Sequence, residues 1–107
     1  MKSTLQEALS RLTPEQRFAQ VMQHGTMSVE LYAPDQVDPQ QPHAQDELYV
    51  VVSGTGQFLN GEEVYLFGPG DVIFVPAGRV HRFFDFTDDF QTWVIFYGPE
   101  GGEKPKS

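Results

Sequence analysis

Cysteine is absent from the 107 residues, which excludes disulfide staples, thiolate nucleophiles and cysteine-ligated zinc, and points to a reducing, cytoplasmic setting. Basic side chains are scarce. Seven Lys and Arg stand against fifteen Asp and Glu, a formal net charge of −8, so most of the surface repels a polyphosphate backbone and nucleic acid is not an expected partner. Long apolar runs are missing too: the opening MKSTLQEALSRL has no apolar stretch behind its lysine, and nothing later approaches the roughly 18 apolar residues of a membrane span, so no membrane partner is expected. The sequence carries no internal repeat, and its length suits one domain with a core of its own.

What is present begins with a short amphipathic pattern. Leu5, Ala8, Leu9 and Leu12 recur at helical spacing behind a candidate capping box of Ser3 and Gln6, which predicts a helix within residues 3–12. Thr13, Pro14 and Gln16 then read as a turn feeding a strand. From Phe18 onward the pattern is short β-rich runs, at 18–24, 26–33, 47–53, 57–59, 63–67, 72–75, 81–86 and 92–97. Gly, Pro, Asn and Asp punctuate them, and Asn60 with Gly61 predicts a two-residue hairpin. Many short strands without intervening helices argue against a parallel α/β sheet and for an all-β sandwich or barrel. The expected division is a helical segment at 1–17, a barrel at 18–99 and a flexible tail at 100–107.

Three residues stand out chemically. If a strand begins near His43, alternation places His43, Gln45, Glu47 and Tyr49 on one face, leaving the neighbouring Asp46 for the solvent side. His81 follows the turn PAGRV, which can aim it at the same point. Two histidines and a carboxylate form a divalent-metal set with open positions, the arrangement non-haem iron oxygenases use. His24 and Tyr49 are the candidate proton-transfer groups, although His24 directly precedes Gly25 and reads better as a turn residue. Asp85 reads as a structural hydrogen-bonding residue. The aromatic-rich end, with Phe83, Phe84, Phe86, Phe90, Trp93, Phe96 and Tyr97, is expected to supply core or dimer surface and part of a pocket wall.

From about Phe18 to Pro99 the chain resembles the cupin superfamily. Gly70, Pro76, Gly78 and His81 fall at the places of that family's second motif, with Asp85 where it has Asn. Glu47 and Gly54 match the end of the first motif, and His43 stands where the second of its paired histidines belongs. Gln41 replaces the first of those histidines, and Asp35 replaces the leading glycine. The resemblance implies a double-stranded β-helix, or jelly-roll, barrel behind a short N-terminal helix, often assembled as a homodimer. It also implies one divalent ion, Fe, Mn, Ni or Zn, held by His43, Glu47 and His81. Gln41 is then a candidate fourth ligand, with Gln45, His24 or water as substitutes. The function it leads to is a metal-dependent enzyme, of dioxygenase or isomerase type, acting on a small oxygenated molecule in the barrel. The alternatives are a sensor-like module that binds a small ligand or metal without chemistry, and a metal-free barrel.

Overall fold

A computed structural model describes residues 1–104. One short helix, α1 (Leu5–Ser10), precedes eight strands: β1 (Phe18–His24), β2 (Met27–Tyr32), β3 (Asp46–Ser53), β4 (Gly56–Asn60), β5 (Glu63–Phe67), β6 (Val72–Val75), β7 (His81–Phe84) and β8 (Gln91–Tyr97). All the strands expected from the sequence form. The helix starts one residue later than its expected cap, because the Thr4 hydroxyl accepts the Glu7 N–H at 3.1 Å while the Ser3 hydroxyl donates instead to the Val21 carbonyl. Thr13 and Gln16 close the expected turn, and β1 follows.

The strands make two antiparallel sheets, one ordered β1-β2-β8-β3-β6 and the other β5-β4-β7. Alternation decides which side chains lie between them. Tyr49 and Val51 of β3, Ile73 and Val75 of β6 and Val94 of β8 meet Phe58, Phe67 and Phe83 from the smaller sheet, with Tyr32 and Phe90 completing the cluster. Phe58, Phe83 and Phe90 pack at centroid separations of 4.5–4.6 Å along this core. The opposite face of β1 and β2 is covered by α1, where Ala8, Ala19 and Leu31 are buried outside the central cluster. Val64, Leu66, Val72 and Phe74, from β5 and β6, remain exposed.

The β4–β5 hairpin forms one residue later than the Asn60-Gly61 reading places it. Asn60 still pairs with Glu63, so the two loop residues are Gly61 and Glu62, and Gly61 takes the φ of +65° that the first position of a II′ turn requires. Asn60 stays in the strand because its amide nitrogen is needed inside, donating to the Tyr65 hydroxyl and the Phe74 carbonyl. Asp85 ends β7 at φ +51°, a left-handed conformation that Asp and Asn tolerate better than most residues. Its carboxylate accepts from Gln57, the structural role expected of it.

Asp46 departs from the expectation of a solvent-facing charge. It is 5% exposed and accepts the N–H groups of Ala77 and Glu103, clamping the β6–β7 turn and the C-terminal segment to the start of β3. Where a free tail is expected, Gly101 donates to the Ala44 carbonyl and Gly102 to that of Pro99. Positions 105–107 lie outside the described residues.

Candidate metal centre

β3 sets the first donor. Glu47 pairs with Val75 on one side and Phe96 on the other, so its side chain enters the barrel beside Tyr49 and is 1% exposed. β7 brings His81 inward from the opposite sheet, also buried, through its pairing with Asn60. His43 comes from the loop before β3 and is held at the rim, its ring edge-on to Phe96 at 4.9 Å. One donor atom from each of the three lies within 4.8 Å of the others. His81 Nε2 is 2.9 Å and His43 Nε2 4.0 Å from Glu47 Oε1. Neighbouring ligands on one ion with bonds of about 2.1 Å sit roughly 3.0–3.4 Å apart, so an inward shift of His43 on the order of an ångström closes the set.

The polar atoms around the triad favour that fit. His81 Nδ1 lies 2.8 Å from the Arg79 carbonyl; donating there leaves Nε2 as the lone-pair nitrogen facing the barrel. Nε2 is close to Glu47 yet out of hydrogen-bond alignment, and both it and Glu47 Oε2 are buried without a partner among the described residues. Buried polar atoms are rarely left so, and a divalent cation accounts for an unpaired imidazole nitrogen and an unpaired carboxylate oxygen together. Burial disfavours protonation of His81, but the Glu47 carboxylate and the Arg79 carbonyl outweigh it and raise its pKa above the ordinary 6.5.

The other sequence candidates disperse. His24 is exposed beside the β1–β2 turn and does not join the triad. Gln45 does not share the face of Glu47: β3 begins only at Asp46, and the Gln45 amide donates to the Thr26 and Gly98 carbonyls at the rim. Gln41 is exposed, and its neighbour Gln40 turns inward instead, with Oε1 3.2 Å from His43 Nε2. Tyr49 is fully buried and donates to Gln40 Oε1 at 2.8 Å. Desolvation, then the charge of Glu47, raises its pKa well above 10, so it holds its proton in the bond to Gln40.

Sequence reasoning missed Gln40 and Glu30. Glu30, Gln40 and His43 line one pocket of about 360 Å³, walled by Phe18, Tyr32, Pro39 and Phe96. Burial, and secondarily repulsion from Glu47, lifts the Glu30 pKa from 4.5 to about 7. The signal for Glu30 was available: it alternates with Leu31 and lies on the barrel face of β2 with Tyr32, a charged side chain inside an otherwise apolar run. That for Gln40 was Asp38 two residues earlier, which bonds the Gln40 N–H in an Asx-type turn.

A family profile described as the Cupin domain matches residues 28–95. This chain belongs to the cupin family. The cupin's two sheets are accordingly the walls of a jelly-roll barrel, with the triad inside it. An uncharacterized protein of Streptomyces coelicolor is 42% identical to it over 85 residues, covering 78% of this chain and 81% of that protein. An acireductone dioxygenase of Leishmania infantum is 38% identical over 79 residues, and the match covers 59% of the cupin but only 23% of that enzyme. Among solved structures, a cupin-2 domain containing protein from Shewanella frigidimarina superposes with a TM-score of 0.69 at 16% identity, over 87% of this chain and 91% of that one, a likeness of fold.

Proposed function

We propose that this cupin is a metal-dependent enzyme of the dioxygenase type, holding one divalent ion through His43, Glu47 and His81 and taking a small oxygenated molecule into the adjoining pocket. The observation that carries the reading is the triad itself, with a histidine nitrogen and a carboxylate oxygen buried and unpaired, opening onto a cavity through His43. The similarity to an acireductone dioxygenase supports the reaction class. A bound ion supplies Lewis-acid polarisation of a substrate oxygen and, if it is iron, access to dioxygen.

The chain's own residues supply the rest. Phe18, Pro39 and Phe96 give the pocket an apolar wall against which one side of a small molecule can pack. Glu30 is the group placed to exchange a proton with it. With a pKa of about 7 it is divided between acid and base near neutrality, as proton transfer in both directions requires, and it stands in the pocket rather than among the three donors. Tyr49, packed edge-on against Phe83 at 4.8 Å, donates to Gln40 from the core side of the site.

Oxygen consumption by metal-loaded protein tests this, with acireductone as the first substrate offered under iron, nickel and manganese loading in turn. The expected result is metal-dependent uptake that Glu30→Gln lowers by roughly 10²-fold or more while metal content stays unchanged. Metal binding without turnover on any small oxygenated substrate would move the protein to the non-catalytic binders, and wild type that takes up no ion would overturn the reading altogether.

A further inference from the structure

We infer that Gln40, through its side-chain Oε1, is the fourth donor to the ion, so that the cupin presents two imidazole nitrogens, one carboxylate and one neutral amide oxygen. This rests on the metal reading above and extends it to a residue outside the motif positions.

Asp38 is 6% exposed and accepts four hydrogen bonds, from the Tyr32 hydroxyl, the Phe83 N–H, the Gln40 N–H and the Gln40 amide nitrogen. With its oxygens engaged as acceptors, Asp38 can face only the NH₂ end of the Gln40 amide. The ambiguity that usually attends a glutamine flip is removed, and Oε1 must point the other way. It points at the site. One lone pair accepts the Tyr49 hydroxyl at 2.8 Å, and the other faces His43 Nε2 at 3.2 Å.

That nitrogen loses its proton if it binds the ion, which leaves the second lone pair of Oε1 without its partner beside the same cation. Adjacent ligands on one ion with bonds of about 2.1 Å sit about 3.0 Å apart at a right angle. The pair Gln40 Oε1 and His43 Nε2, at 3.2 Å, and the pair His81 Nε2 and Glu47 Oε1, at 2.9 Å, both have that separation. Gln40 is thus held in ligand position by a buried carboxylate and a buried tyrosine, at no further cost in side-chain freedom when the ion arrives. An amide oxygen is a hard, neutral donor, and replacing an imidazole with it shifts preference away from zinc and nickel towards manganese and iron.

The test is titration of wild type, Gln40→Ala, Gln40→His and His81→Ala with Co(II) and Mn(II), reading affinity and the visible Co(II) spectrum and using circular dichroism to confirm the fold. The expected result is that Gln40→Ala weakens binding by about tenfold or more and changes the Co(II) bands. Gln40→His should restore Co(II) affinity while lowering the preference for Mn(II). A Gln40→Ala protein with wild-type affinity and spectrum, beside a His81→Ala protein that has lost the ion, would overturn the role of Gln40 and leave the triad standing. Failure of Gln40→His to recover binding lost in a folded Gln40→Ala protein would reduce Gln40 to a positioning residue. Wild type that binds neither ion would remove the metal reading and this inference together.

Discussion

At the scale of single residues, titration in the barrel mouth gives the sharpest predictions. Glu30 has a folded pKa near 7 against 4.5 unfolded, so the folded state holds its proton more tightly. Its contribution to stability is therefore fully present below about pH 4.5 and lost as pH rises through 7. Glu30→Gln keeps the shape and removes that dependence. In metal-free protein, the variant should gain in melting temperature relative to wild type between pH 5 and pH 8; a gap that does not change with pH would contradict the burial of Glu30. His81 carries the same sign. Its raised pKa stabilises the metal-free fold below pH 6.5 and ceases to do so as pH rises through the folded value, and the same proton competes with an ion for Nε2. Metal affinity should fall as the solution is acidified through that value. Tyr49→Phe, which deletes the bond to Gln40, should cost about 1 kcal/mol in chemical denaturation.

At the scale of elements, turns and core strands set the tolerances. Gly54, between β3 and β4, has φ +88°, and a Cβ there would meet the Phe90 Cα at 2.5 Å. Gly54→Ala therefore suffers both backbone strain and a collision with main chain, and should lose more than about 2 kcal/mol by denaturant midpoint. Phe83, 1% exposed between Tyr49 and Phe67, should cost about 3–5 kcal/mol on truncation to Ala. These same elements show how far the sequence could be read. Strand periods and turn residues located every strand because each lies on a half-buried sheet, where alternation is enforced. The hairpin slipped by one residue because the buried partners of the Asn60 amide, Tyr65 and Phe74, are tertiary. Gln41 came forward by motif spacing, whereas the inward turn of its neighbour Gln40 depends on the buried acceptor Asp38, a contact no local pattern shows. Glu47 was legible from strand alternation and His81 from the turn before it and the motif spacing, whereas the alternation that turns Glu30 inward on β2 does not by itself place that strand beside β3 or β7.

At the scale of the whole molecule, the site joins the two sheets of the barrel. Glu47 stands on the larger sheet and His81 on the smaller, so an ion bound between them would be a cross-link available only to the folded chain. Binding that favours the native state stabilises it by mass action, by about 2.7 kcal/mol at a free ion concentration one hundred times the dissociation constant. The central claim is that His43, Glu47 and His81 hold one divalent ion. Elemental analysis of protein purified without an affinity tag or chelator, beside a His81→Ala variant prepared in the same way, tests it most directly. The account predicts about one divalent ion per wild-type chain and almost none in the variant; equal metal in both, or none in wild type even after reconstitution, would contradict it.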